Sequence, residues 1–266
     1  MDPALHKEAY RLAQQLFGEN TKAGIHFANH LSDTCARAQG KDFLIVHTPG
    51  GWGQTRLERC QESEQSLVAG INATIEEMGY SSLLTQYLRT HGGWQEQAKD
   101  IKEQLCFFAS KSSVMAAWLQ FIADHVDTIN VILIGVSQGA AFSNAVMQKL
   151  GGLHHVYSIE LGYLFPYRPW RIITERTLKI DSNGVMPDPM VHRNLKAGAK
   201  AFTAAPFRWV KHHMKGRAVS LSYCINVSGH DYSWDYPEVR RQIRDFIETN
   251  FPANTKPGDQ ADVQRN

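Results

Sequence analysis

No stretch of this chain approaches the roughly 18 consecutive apolar residues that read as a bilayer span; its most apolar run is the short segment Val131 to Val136. The N-terminus, MDPALHKEAYRLAQQLF, mixes acidic with basic residues and lacks an apolar core leading to a small-residue cleavage site, so no secretory signal is expected. Cysteine is scarce: Cys35, Cys60, Cys106 and Cys224 lie far apart with no CxxC pair. That excludes the dense disulfide framework of small secreted domains and predicts reduced thiols and a cytoplasmic location. A formal net charge of +2 is too mild for a dedicated nucleic-acid binder, so no nucleic-acid partner is expected. Internal repeats and interdomain linkers are also lacking.

What is present fits an ordinary globular enzyme. Hydrophobic residues make up 43% and charged residues 20% of 266, enough apolar material for one sizeable core. The reading is a single domain over 1–251, followed by a disordered tail over 252–266, which is rich in Pro, Gly, Asp and Gln.

Residues 1–41 look largely helical. Phe43-Leu-Ile-Val46, bounded by Gly40 and by Pro49-Gly50-Gly51, predicts a buried strand. Leu67, Ile71 and Ile75 recur at helical spacing within about 64–78, and Tyr80 to Tyr87 reads as a second strand. From Gln95 to His125 the pattern predicts one long helix or two broken near Ser110 to Ser113. Asn130 to Gly135 is an apolar β-branched run, and Phe142, Val146 and Leu150 then mark a helix over 140–150. Further strands are expected at Val156 to Leu161, Thr177 to Asp181 and Leu221 to Val227, with helices near 193–214 and 237–251. This alternation predicts an α/β fold, a mainly parallel central sheet with helices on both faces.

The strongest chemical signal is Gly135-Val136-Ser137-Gln138-Gly139, a GxSxG placed between a predicted strand and a predicted helix. The glycines permit a sharp turn there. A serine on such a turn is held in a strained conformation with its hydroxyl exposed above the sheet, and the following helix N-terminus faces developing negative charge.

With this motif and this element order, the sequence resembles the α/β-hydrolase superfamily from about Asp42 to Phe251. It departs from that pattern at the N-terminus, where helices replace the family's first strands, so the sheet is expected to be short on that edge. The resemblance implies a chain order of Ser, then Asp or Glu, then His. Ser137 would be the nucleophile. Of the 12 histidines only His230, in Ser228-Gly229-His230-Asp231 between the last expected strand and the final helix, fits the general base. For the acid, Asp188 is preferred because Gly184 to Asp188-Pro189 resembles the family's Gly-x-x-Asp-Pro loop with one extra residue; Asp181 and Glu160 are the alternatives. Asp231, adjacent to His230, is badly placed to orient its ring. The oxyanion hole implied by the resemblance takes one N–H from Gln138 and the second from Gly51 or Trp52, in the loop His47-Thr-Pro-Gly-Gly-Trp-Gly53.

The resulting expectation is a serine hydrolase acting on a small-molecule or lipid-like acyl ester through an acyl-enzyme, without cofactor. A thioesterase or amidase of the same superfamily, or a non-catalytic binding or signalling protein on the same fold, is the alternative. Tyr163-Leu-Phe-Pro-Tyr-Arg-Pro-Trp170 reads either as a short lid over about 162–176 bordering an apolar pocket or as core packing. Between Asp188 and Asp231 there is no acidic residue, yet Arg193, Lys196, Lys200, Arg208, Lys211, Lys215 and Arg217 are present. Segment 193–217 therefore reads as a solvated helix face or as a place of transient membrane-surface contact. No metal site is expected: His26-Phe-Ala-Asn-His30 lacks the Glu of the zincin motif, and the neighbouring pairs His154-His155 and His212-His213 point apart.

Overall fold

The computed structural model describes residues 2–90, 94–216, 219, 222–225 and 227–254. Five strands, β1 (Phe43–Thr48), β2 (Ser82–Gln86), β3 (Asn130–Val136), β4 (Val156–Leu161) and β5 (Thr177–Ile180), form one all-parallel sheet in the order β2-β1-β3-β4-β5. Register is continuous across the middle, with Val46 opposite both Thr85 and Leu133, and Leu133 opposite Ser158.

The sheet is buried on both faces, which is why its strands are near-continuous apolar runs rather than alternating ones. Because successive side chains point to opposite faces, Leu44, Val46, Val131 and Leu133 enter one core and Phe43, Ile45, Ile132 and Ile134 the other. The first core is roofed by α1 (Pro3–Phe17), α2 (Lys22–Ala38), α5 (Ala109–His125) and α6 (Gln138–Lys149); the second by α3 (Glu62–Glu77) and α8 (Pro237–Asn250). Local chemistry sets the helix starts. Asp2 Oδ1 accepts from Ala4 N at 2.9 Å with Pro3 at the first helical position of α1, and Thr21 Oγ1 accepts from Gly24 N at 3.1 Å at the start of α2. The N-terminal segment is thus helical and packs on a face, and β2 forms the edge of the sheet on that side of β1.

Two expectations are corrected. The helical stretch after β2 breaks at 106–108, between α4 (Trp94–Leu105) and α5, not at 110–113. Phe107 (φ 51°) and Phe108 (φ 55°) take left-handed conformations there, and Phe108 becomes fully buried. Ser110 and Lys111 instead begin α5, their backbone N–H groups each held at 3.1 Å by the Glu103 carboxylate of the preceding helix. The strand expected over 221–227 is also absent among the described residues, Leu221 and Asn226 lying outside them. A single 3-10 turn, Ser222–Cys224, occupies the centre of this stretch, and Tyr223, Ile225 and Val227 line a cavity instead of joining the sheet.

The helix expected over 193–214 is α7 (Leu195–Met214). Residues 162–176 form the crossover from β4 to β5, with a 3-10 helix at Phe165–Trp170 whose Tyr167, like Tyr163 before it, packs into the first core. Of the expected tail, 255–266 lies outside the described residues. Among the described residues no single helix is long and apolar enough to cross a membrane.

Candidate active site at the carboxyl ends of β1 and β3

In this strand order the chain leaves β1 toward β2 and leaves β3 toward β4, in opposite directions. The two loops diverge and open a crevice at the carboxyl ends of the strands, the place where open parallel sheets bind ligands. Pro49 to Gly53 follow β1 and Ser137 follows β3. Both border a cavity of about 340 Å³ that is also lined by Gln138, Leu164, Met190, Tyr223, Val227 and His230.

Ser137 sits on the turn between β3 and α6 with φ 60° and ψ −118°. A non-glycine residue at positive φ stores backbone strain, on the order of 1–3 kcal/mol, and persists only where its surroundings enforce it. Here they do. Ser137 N donates to Leu161 O of β4 at 2.8 Å, and Ser137 O accepts from Ala140 N at 3.1 Å. The glycines of the motif serve close approach: a Cβ on Gly139 would lie 2.0 Å from Thr48 O, and one on Gly135 would lie 2.5 Å from Gly139 O. The end of β1, the turn and the first residues of α6 are thereby locked together. Among the described residues the backbone N–H groups of Gln138, Gly51 and Trp52 have no protein acceptor, and all three residues line the cavity.

The loop after β1 is held by a residue that carries no signal in the sequence. Arg89, buried beyond β2, donates from Nη1 to Pro49 O at 2.8 Å and from Nη2 to Gly51 O at 2.6 Å. Burial pushes its guanidinium down to about 10, offset in part by Asp100, and the rings of Phe108 and Phe142 lie 5.3 Å from it. Asp100 accepts from Lys111 Nζ and from Gln104 Nε2, each at 2.7 Å, and Gln104 Oε1 in turn accepts from Gln138 Nε2 at 2.8 Å. With Arg89 Nε 4.0 Å from Asp100 Oδ1, a partly buried polar chain runs from the β1 loop to the residue after Ser137.

Across the cavity, His230 Nδ1 lies 2.7 Å from Asp188 Oδ2. Asp188 is fully buried; the same oxygen accepts from Tyr232 OH at 2.6 Å, while Oδ1 accepts from Met190 N at 2.8 Å and Val191 N at 3.4 Å. An ionised carboxylate with this set keeps a proton on Nδ1 and leaves Nε2 as the acceptor. Burial and the Asp188 charge push the Tyr232 phenol upward, so it stays a donor. The close fit leaves no room at the end of β4: a Cβ on Gly162 (φ 62°) would lie 2.9 Å from His230 Cε1 and 3.0 Å from Asp188 Oδ2. No hydrogen bond joins Ser137 Oγ to His230 among the described residues.

The other two carboxylates considered as acids face elsewhere. Glu160 and Asp181 share Arg171, whose Nε is 3.0 Å from Glu160 Oε2 and whose Nη1 is 2.9 Å from Asp181 Oδ1. Burial pushes Glu160 up to about 7 against the opposing pull of Arg171. Asp231 accepts from Asn183 Nδ2 at 3.2 Å, from Gly229 N at 3.2 Å and from Tyr236 OH, tying the Asp188 loop to the His230 loop.

Cys60 and Glu64 of the cavity lining and the buried His47 bring ligand-type atoms within 4.8 Å of one another. The hydrogen bonds argue against a metal there. Leu57 N donates to Gln86 Oε1, and Gln86 Nε2 donates to Thr55 O and to His47 Nδ1 at 3.0 Å, which leaves the His47 proton on Nε2 facing Glu64 Oε1 at 2.7 Å. A metal would have to displace that proton and turn Nδ1 into a donor facing a donor. Burial and Glu64 push the Cys60 thiol upward, so it is not poised as a nucleophile. The cluster instead fixes Glu64 as a carboxylate in the cavity wall.

No model of a known protein family matches the chain, and no curated protein matches it.

Proposed function

We propose that this protein is a serine hydrolase on an α/β-hydrolase-type fold, cleaving a carboxylic ester of a small-molecule or lipid-like substrate through an acyl-enzyme. The observation that carries the reading is the pairing, across one cavity, of a strained Ser137 with a His230 whose far nitrogen is held by buried Asp188. In the proposed reaction Ser137 Oγ attacks the ester carbonyl as His230 Nε2 takes its proton. Asp188 steadies the imidazolium, and His230 then returns the proton to the leaving alkoxide. Water, deprotonated by the same imidazole, then attacks the acyl carbonyl; the bond to Ser137 Oγ breaks, the acid leaves and His230 returns the proton to Ser137. The N–H groups of Gln138 and of Gly51 or Trp52 would face the tetrahedral oxyanion. The Ser137 to His230 hydrogen bond would form with substrate in place, since such bonds are commonly long or unmade in the ligand-free state.

The test is labelling with a fluorophosphonate probe and location of the adduct by peptide mass spectrometry. An adduct on Ser137, lost in His230→Ala, is expected; labelling that survives Ser137→Ala would overturn the assignment. The unmade bond between Ser137 and His230 favours one second reading, a non-catalytic binder using the same crevice. A folded protein that refuses the probe while binding acyl esters would select it.

A further inference from the structure

We infer that the outward face of α7 is a docking surface for anionic lipid bilayers. This helix carries no acidic residue, and none occurs anywhere between Asp188 and Asp231. Its inner face is accounted for: Ala201 and Ala205 are buried, Arg208 Nη1 donates to Cys224 O at 3.2 Å, and Trp209 Nε1 donates to Val219 O at 3.0 Å. On the opposite face, Phe207, Val210 and Met214 recur at i, i+3 and i+7 with exposures of 79%, 49% and 84%. Lys196, Lys200 and Lys211 fall on the same side, since Lys200 and Phe207 are seven apart and Phe207 and Lys211 four. All three lysines are exposed, and among the described residues none makes an ion pair.

A solvated helix face would carry mixed charges and keep large apolar groups inside. This face does the reverse, setting an aromatic and a thioether outward among lysines. Exposed apolar tips gain by entering the boundary between headgroups and acyl chains, and lysines gain by meeting anionic headgroups in the same plane. A polyanion without an apolar layer, such as a nucleic-acid duplex, would leave Phe207 and Met214 in water. The helix is also well placed to matter: its inner residues Arg208 and His212 share a depression of about 390 Å³ with Gln61, Tyr223 and Asp231, three residues that also line the Ser137 cavity. The inference does not depend on that cavity being catalytic.

The full chain should co-sediment with vesicles of equal parts phosphatidylcholine and phosphatidylserine and stay in solution with phosphatidylcholine alone. The variant Lys196→Glu/Lys200→Glu/Lys211→Glu should bind on the order of 100-fold more weakly. Phe207→Ser/Met214→Ser should also lose most binding at unchanged charge. Every substituted side chain is exposed, and circular dichroism with thermal unfolding on each variant confirms that the fold is kept. Failure of the wild-type chain to bind either vesicle would overturn the proposal. So would anionic-vesicle binding that survives Phe207→Ser/Met214→Ser, or equal affinity for duplex DNA that is indifferent to that pair, because either would mark a purely electrostatic patch.

Discussion

The two walls of the cavity are built by different means. On the Ser137 side the backbone does most of the positioning: strands β1 and β3 are paired along their length, Gly139 and Gly135 let the ends of β1 and β3 lie against α6, and Arg89 clamps carbonyls of the loop after β1. On the His230 side, among the described residues, no strand carries the site residues. Asp188, His230 and Tyr232 come from loops joined by side-chain hydrogen bonds, with Asn183 and Asp231 as the cross-tie. A wall made of backbone contacts spreads its energy over many groups, whereas one made of a few buried polar bonds concentrates it. Single side-chain changes should therefore act locally and sharply on the His230 wall and more globally on the Ser137 wall.

Substitutions at four positions bear on that contrast. The largest effect on turnover is expected from Asp188→Asn, which would offer a donor to His230 Nδ1 and favour the wrong tautomer; a loss on the order of 10⁴-fold in ester hydrolysis with little change in Tm would fit, and a variant within a factor of a few of wild type would remove Asp188 from the role. Arg89→Met should follow. Freed from its clamp, the Pro49 to Gly51 loop would drift, costing on the order of 10²-fold in kcat. It should also lower Tm, because Asp100 loses a buried cation. Arg89→Lys should not rescue it, since an ammonium cannot reach two carbonyls as a guanidinium fork does. If Arg89→Met lowered kcat without touching Tm, the two walls would be alike in character and the comparison would fail.

Tyr232→Phe removes one of several bonds to Asp188. A net loss of about 1 kcal/mol, roughly fivefold in kcat, is expected, and it should grow if the His230 wall really rests on few contacts. The smallest effect on activity is expected from Glu160→Gln, whose side chain does not line the cavity. Glu160 is raised in the folded protein from 4.5 to about 7, so the folded state holds its proton more tightly than the unfolded chain. Wild-type stability contributed by this group is therefore full below pH 4.5 and declines as pH rises toward 7. Chemical denaturation across this window should show the decline in wild type and a flatter profile in Glu160→Gln; parallel profiles would mean that Arg171 holds Glu160 ionised throughout.

How far the sequence reaches follows the same division. Whatever depends on local periodicity was legible: the apolar runs of β1, β3 and β4, the turn at Ser137, and the helical spacing of Leu67, Ile71 and Ile75. The break at Phe107 and Phe108 was not, because two left-handed aromatic residues are selected by the core that Phe108 fills and not by a turn-forming residue type. The apolar alternation at Tyr223, Ile225 and Val227 resembled a strand but serves a cavity wall, a distinction no short window contains. Arg89 and Tyr232 were invisible for a related reason, since each acquires its role from partners tens of residues away: Pro49 and Gly51 for one, Asp188 for the other. The placement of Asp188 beside His230, and of Asp181 and Glu160 on Arg171, likewise required the folded chain.

Strand β5 carries a last consequence. It is four residues long and, among the described residues, pairs only with β4, leaving its other edge open. An open edge of a parallel sheet is a template on which a neighbouring molecule can add its own strand, the first step toward fibrils. Here that template is brief and interrupted by a half-exposed Lys179 paired with Asp181 at 3.4 Å, so a strand from another copy would gain few hydrogen bonds and meet a like charge. That edge of the sheet is thus guarded by one lysine and by the shortness of the strand that bears it.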